Sequence, residues 1–242
     1  LSGHCHDYLV EKIPFPIDIA RMIMLLPTRK PSSMGYFYSP RLKTRIDDLV
    51  RRRAFELVFA HCSSVAQYVE DLRGPAKIID FCDIDSAKWR TYAETRAFPL
   101  SFGYRLEAEK LKRAETAIAA KFDLSTCATQ AEVDTLRGYG VTAPADWFPN
   151  GVDIEYFAPA PAPPEPDTLC FLGRMDYFPN EQAMLAFCRD VLPRIRARRP
   201  NVRLSIVGAE PPAAIRRLAE LPGVTVTGTV PDVRPYVHRS SV

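Results

Sequence analysis

Short apolar runs alternate with amphipathic stretches along this chain, and each run closes on a Gly, an Asp or a helix-capping residue. Five prolines within eight residues, Pro159 to Pro166, divide the series in two. Together these observations predict an α/β protein of two doubly wound parallel-sheet units, residues 1–158 and 168–242, joined by a stiff proline-rich linker over 159–167. A chain of 242 residues has the length for both, and its 47% apolar and 25% charged content is ordinary for a globular protein. It begins at Leu1 and stops at Val242 just as an apolar pattern restarts, so it reads as a piece of something longer, with both units incomplete.

In the first unit, Asp18 to Leu26 has the spacing of a short amphipathic helix, and Pro27 to Pro40 the composition of a loop. Arg41 to Arg53 predicts a polar helix with Leu42, Ile46, Leu49 and Val50 facing inward. Phe55 to Ala60 alternates like a strand. Ser63 and Ser64 cap a helix through Leu72, which Gly74-Pro75 stops. Lys77 to Phe81 completes a βαβ unit and runs into Asp80, Asp83 and Asp85. A long helix follows from about Phe102 to Lys121, with Tyr104, Ala108, Leu111, Ile118 and Phe122 on one stripe. Glu115 falls on that stripe, where an acid needs a partner; an ion pair or a helix-cap contact is the expected role, rather than catalysis. Asp123 to Ala128 predicts another strand, Thr129 a cap for a helix ending near Gly138, and Asn150-Gly151 a turn, since both residues tolerate positive φ.

The second unit centres on Thr168 to Leu172, a strand read as buried on both faces, which ends at once in Gly173-Arg174. Pro179-Asn180-Glu181 then opens a helix that runs to Arg198 and bends near Pro193. Strand Val202 to Val207 is stopped by Gly208; helix Ala213 to Glu220, strand Val224 to Thr227 and a helix from about Asp232 complete the series. In a parallel sheet the carboxyl end of a strand and the amino end of the next helix face one crevice, where ligands bind. There Gly173 permits close approach, helix N–H groups favour anions, and Arg174 offers a planar, permanently charged fork, a combination suited to a phosphate or diphosphate. The same residues also fit a tight turn with a solvated arginine. Two units joined by a hinge predict a ligand cleft between them.

Other classes are excluded or weakened. Six cysteines without a CxxC pair read as small buried hydrophobes in a reducing cytosol, and His4-Cys5-His6-Asp7 lacks a second cluster to complete a metal site. No Walker-type Gly-x-x-x-x-Gly-Lys motif occurs, and the 11 basic residues from 159 onward are all arginine. Arg41, Lys43, Arg45, Arg51, Arg52 and Arg53 form the one basic concentration. It reads as a solvated helix face or as a weak peripheral contact with anionic lipid; no aromatics interleave as nucleic-acid binding requires. The segment Ile17 to Leu26 is interrupted by Asp18 and Arg21, so no transmembrane span or secretory signal is expected and the location is read as cytoplasmic.

With these pieces placed, FLGRMDYFPNEQAMLAF, LSIVGAEPP, VTVTGTVPDVRPYV and FPNGVDIEYFAP together resemble the glycosyltransferase family 4 type of GT-B sugar transferase. More narrowly, DFCDIDSAKWRTYAE and GRMDYFPN are similar to the transferases associated with exosortase/PEP-CTERM exopolysaccharide clusters. The resemblance implies two Rossmann-like domains facing a cleft, and transfer of a sugar, with retention, from a nucleoside-diphosphate sugar to a hydroxyl of a lipid-linked or polysaccharide acceptor, without a metal or other cofactor. It assigns phosphate contact to Arg174 after Gly173, the second donor-strand turn to Gly208, the nucleobase loop to Val230 through Asp232, and the hinge motif to Asn150-Gly151. The family's partner lysine would fall near Asn180 and is absent. A histidine common after the second strand is replaced by Asp83 and Asp85, which either orient or deprotonate the acceptor hydroxyl or merely cap the turn; His61 is a further candidate for lining the cleft. Ile78 to Asp85 also resembles the strand plus Asp-x-Asp by which another transferase class holds Mn²⁺ or Mg²⁺, but the second doubly wound unit argues against that class. A Glu-rich donor motif is expected beyond Val242, so the chain alone is expected to be inactive. The alternatives are a non-catalytic nucleotide-sugar-binding subunit and a sugar-nucleotide epimerase of GT-B architecture.

Overall fold

A computed structural model describes residues 5–13 and 15–242; His4 of the His4-Cys5-His6-Asp7 stretch, weighed and disfavoured above as a metal site, lies outside them. The chain divides into two compact units, Leu1–Gly151 and Val152–Val242. The division falls seven residues before the expected one, because Tyr156 and Glu165 already belong to the second unit: Tyr156 bonds Asp232, and Glu165 meets Arg203 and donates its N–H to Arg239 O.

In the first unit, α1 (Phe15–Leu25) leads into α2 (Ser32–Tyr36), a short helix where a loop was expected. Helix α3 (Pro40–Arg52) is capped by Ser39, whose hydroxyl accepts the Leu42 N–H, and its inward residues are only half-buried. Strand β1 (Leu57–His61) is followed by α4 (Ser63–Ala66), a single turn rather than the helix to Leu72. Then come β2 (Ala76–Cys82), α5 (Asp85–Thr95), α6 (Leu100–Ala119), β3 (Leu124–Cys127), α7 (Gln130–Gly138) and β4 (Ala145–Trp147). Helix α5 and strand β4 were not foreseen; α5 is rich in polar and charged residues and β4 has only three residues, so neither carries a strong periodic signal.

The four strands form one parallel sheet in the order β1-β2-β3-β4, with His61 opposite Asp80 and Thr126 beside it on the far side. The β2–β3 register slips between Asp80 and Cys82, so Phe81 is an extra residue at the strand's carboxyl end. Ile79, Phe81, Ile84, Ile118, Phe122, Val133 and Leu136 fill the core between sheet and helices.

The expected stripe is buried at Ala108, Leu111, Ile118 and, just past α6, Phe122, with Tyr104 half-buried, and more ionisable groups are buried on α6 than were read from it. Glu107 accepts the Ser33 N–H at 2.8 Å and so caps the start of α2; Lys110 donates to Leu25 O and Leu26 O at 3.1 and 2.8 Å and caps the end of α1. Fully buried Glu115 accepts the Ser86 N–H at 3.0 Å and the Ser86 hydroxyl, capping α5. The cap-contact reading of Glu115 is thus the one the structure adopts.

No turn forms at Asn150-Gly151, and neither residue has positive φ. The reversal lies at 154–157, where the Asp153 carboxylate accepts the N–H groups of Glu155 and Tyr156 and its carbonyl accepts that of Phe157.

The second unit contains β5 (Thr168–Leu172), α8 (Phe178–Ala186), a π-helical turn (Phe187–Val191), α9 (Leu192–Arg196), β6 (Arg203–Val207), α10 (Ala213–Arg217), a 3-10 turn (Leu218–Glu220), β7 (Val224–Val226) and α11 (Arg234–Arg239). Helix α8 starts three residues before the expected Glu181. The bend expected near Pro193 takes the form of the π turn, where Leu192 donates to Phe187 O five residues back. The parallel sheet has the order β5-β6-β7, and the outer edge of β5 is hydrogen bonded to Ser241 and Val242. Strand β5 is only half-buried along most of its length, not buried on both faces. The core of this unit gathers Met175, Met184, Leu192, Leu204, Ile206 and Ile215.

Burial raises the Glu115 carboxyl from near 4.5 to about 7, outweighing the Ser86 hydrogen bonds. The folded state therefore binds a proton that the unfolded state releases between those values, and stability falls as pH rises through that window. The shift corresponds to a loss on the order of 3 kcal/mol by pH 8. Chemical denaturation at pH 5 and pH 8 should show this loss in the wild type and a flattened difference in Glu115→Gln; an unaltered pH dependence in the variant contradicts the assignment.

Candidate functional site

The carboxyl ends of β5 and β6 make the candidate site of the second unit. The backbone there is close-packed: Gly173 N–H donates to Val207 O at 3.1 Å and Met175 N–H to Ala209 O at 3.0 Å. A Cβ on Gly208 would lie 1.7 Å from Gly173 O, so this position excludes every side chain. A Cβ on Gly173 would meet Asn180 Nδ2 at 2.6 Å. Asn180, noted only as standing where a lysine was expected, braces the loop by donating from Nδ2 to Arg174 O at 2.9 Å. Helix α8 begins directly behind this loop, with Pro179 in its first turn and no side chain capping it.

Arg174 is exposed and not free. Its Nε and a terminal nitrogen donate to the two oxygens of Asp176 at 3.0 and 2.7 Å, and the same nitrogen donates to Glu210 Oε2 at 2.9 Å. These partners push the guanidinium pKa up and hold Asp176 low through the Arg174 hydrogen bond. Glu210 reaches it from the loop after β6, with φ of 54°. Sequence reading found Arg174 and missed both acids; Asp176 was visible two residues on, whereas Glu210 is brought in by the β5–β6 pairing.

Near the start of α11, Asp232 accepts from Arg234 through its backbone N–H, Nε and a terminal nitrogen, and from the Tyr156 hydroxyl at 3.2 Å. The Arg234 hydrogen bonds lower its carboxyl to about 2, and the Arg234 guanidinium lies 4.4 Å from the centre of the Tyr156 ring. Val230, two residues before Asp232, is half-buried; Asn150 and Gly151 are exposed.

In the first unit the structure gathers a different set. His61 Nδ1 lies 3.0 Å from Asp80 Oδ2, and Cys82 Sγ lies 3.1 Å from the same oxygen and 3.3 Å from His61 Nδ1. Thr126 and the Cys82 N–H occupy Asp80 Oδ1. Burial pushes Asp80 up, and the hydrogen bonds from Cys82, Thr126 and His61 outweigh it, so its carboxyl is held low. Burial and then Asp80 push the Cys82 thiol up. Asp83 is exposed, while Asp85 accepts the Ser63 hydroxyl at 3.0 Å in the first turn of α5. The two aspartates singled out in sequence thus have different surroundings, and Asp80 rather than either of them is the hub beside His61.

Of the basic residues on and just after α3, Lys43, Arg45, Arg51 and Arg53 pair with Asp47, Glu11, Asp48 and Asp7, which makes that face one of mixed sign. No helix among the described residues is long and apolar enough to cross a membrane.

The segment that holds the Arg174 loop also carries the family signal. Residues 166–242 match the family model for glycosyl transferases, group 1. No curated protein matches the chain. Among solved structures, sucrose-phosphate synthase from Thermosynechococcus elongatus aligns over 83% of this chain and 52% of its own, with 16% identity and a TM-score of 0.59. The trehalose 6-phosphate synthase of Burkholderia multivorans aligns over 90% of this chain and 59% of its own, with 12% identity and a TM-score of 0.52. The fold is therefore the α/β fold of GT-B glycosyltransferases, and the chain spans little more than half the length of the structures it resembles.

The contact at Gly208 gives a prediction. Gly208→Ala forces β6 and the Gly173 loop apart, with a destabilisation of about 1–3 kcal/mol. Urea denaturation measures it; a variant as stable as the wild type contradicts the packing described.

Proposed function

We propose that this chain belongs to a glycosyltransferase that moves a sugar from a nucleoside-diphosphate sugar to a hydroxyl of a lipid-linked or polysaccharide acceptor. Retention of anomeric configuration, a role in exopolysaccharide synthesis and membership of family 4 are parts of the same proposal, as is peripheral contact with a cytoplasmic membrane face. The observation that carries it is the loop after β5: Gly208 packed on Gly173 with no room for a side chain, a helix that begins directly behind them and an exposed guanidinium, all inside the matched segment.

Departure of the nucleoside diphosphate builds negative charge on its phosphates. A guanidinium and backbone N–H groups fixed in advance stabilise that charge more in the transition state than in the ground state. Arg174 starts from Asp176 and Glu210, whose exposed pairs are weak in water. Exchange of a carboxylate for a diphosphate oxygen keeps the bidentate geometry of the fork. Asp232 and Val230 fit a nucleobase-side role through their loop, Asn150-Gly151 a hinge role, and Asp83, Asp85 and His61 acceptor-side roles.

In a transfer assay of the full-length enzyme that follows nucleoside diphosphate release, Arg174→Ala should lower kcat by on the order of 10²–10³-fold. Near-normal turnover removes the role. Glu210→Gln deletes the competing charge, so nucleoside diphosphate binding, followed by calorimetry, should tighten several-fold and most strongly at low salt. Weaker binding would mean that Glu210 holds Arg174 in its working position rather than competing for it.

A further inference from the structure

At the carboxyl edge of the first unit's sheet, His61, given an acceptor-side role above, stands in a soft-ligand cluster with two cysteines that the transfer chemistry does not use. His61, Cys62 and Cys82 each offer a ligand atom, and these atoms all lie within 4.8 Å of one another. His61 ends β1, Cys62 follows it, and Cys82 ends β2 on the strand alongside. Both cysteines have positive φ, 72° and 58°, a conformation uncommon outside glycine and one that collects at functional sites. The extra residue Phe81 just before Cys82 is a second irregularity at the same place.

We infer that His61, Cys62 and Cys82 form a binding site for a thiophilic divalent cation of the zinc class. The three ligand atoms are gathered but not yet aimed at one point. Cys82 Sγ stands 3.3 Å from His61 Nδ1 and 3.6 Å from Nε2, alongside the ring rather than beyond Nε2, so a turn of the exposed ring is what brings Nε2 and the sulfur onto one metal. A tetrahedral zinc with bonds of about 2.3 Å to sulfur and 2.0 Å to nitrogen places such a pair roughly 3.5 Å apart. Asp80 supplies the supporting contact: with His61 Nδ1–H directed at Asp80 Oδ2, the Nε2 lone pair is the one left for a metal. Thr126 and the Cys82 N–H in turn fix the Asp80 carboxylate. Three protein ligands leave a fourth position for water or a substrate oxygen, and the His61 side chain is 65% exposed, so the position is reachable from solvent. Two sulfurs and an imidazole select zinc over Mg²⁺ or Mn²⁺, which separates this site from the Asp-x-Asp reading of Asp83 and Asp85. The inference is independent of the proposed sugar transfer.

The test is metal uptake by the reduced, chelator-treated chain. Titration with Co²⁺ should give a near-ultraviolet sulfur-to-cobalt charge-transfer band and tetrahedral visible bands, complete at one equivalent and abolished by Zn²⁺. Cys62→Ser and Cys82→Ser should each lose the charge-transfer band, and Asp80→Asn should weaken zinc binding by about 10–100-fold. Because a variant can fail to fold, the wild type is also alkylated with and without Zn²⁺ and mapped by mass spectrometry: zinc should protect Cys62 and Cys82 and leave exposed Cys5 reactive. Absence of a charge-transfer band, its persistence in the Cys62→Ser/Cys82→Ser double variant, or equal alkylation with and without Zn²⁺ overturns the inference.

Discussion

Three ionisable side chains on the buried face of a single helix organise the first unit. From α6, Glu107 closes the start of α2, Lys110 the end of α1 and Glu115 the start of α5. Each group suits the helix end it meets: carboxyl oxygens accept from the orphan N–H groups and an amine donates to the orphan carbonyls. A hydrophobic stripe alone would let the flanking helices slide along α6, since apolar contact is non-directional. Buried polar groups lose heavily when unpaired, so each contact admits one register. The consequence reaches the sheet edge: Glu115 sets where α5 begins, the adjacent Asp85 holds Ser63, and Ser63 follows directly on Cys62.

The second unit uses backbone where the first uses side chains. Its site loop is positioned by the Gly173–Val207 and Met175–Ala209 hydrogen bonds and by a contact at Gly208 too tight for any Cβ. Asn180 completes the brace from α8, and no charge is needed to hold the loop. Arg174 can therefore exchange partners without disturbing the frame that carries it.

Much of this was legible. The second unit's strands and helices follow the predicted order, because short strands ended by Gly and long apolar periods are the strongest local signals. Asn150-Gly151 failed because the Asp153 carboxylate organises a reversal four residues later, a side-chain contact that the dipeptide preference does not weigh. Helix α5 was missed because its start depends on Glu115, far along the chain, rather than on a local cap. Glu107 and Lys110 stood beside the predicted stripe of α6 and were not singled out, because the helix ends they cap lie far off in sequence. The His61–Cys62–Cys82 group was invisible as a motif, since the ligands come from two strands and only the β1–β2 register brings them together.

Four non-glycine residues among those described have positive φ, and three of them, Cys62, Cys82 and Glu210, sit at or just past the carboxyl ends of β1, β2 and β6. Each such conformation costs about 1–3 kcal/mol unless local contacts offset it, so their placement is not a by-product of packing. Parallel topology leaves the same edge of each sheet open, and the chain takes its positive-φ residues there. What differs is chemistry. In the first unit the residues so placed are sulfurs beside an imidazole, which attract a soft cation; in the second the residue is an acid that holds an exposed guanidinium, which attracts an anion. Fold thus decides where each site lies, and a few strained positions decide the sign of the charge it can receive.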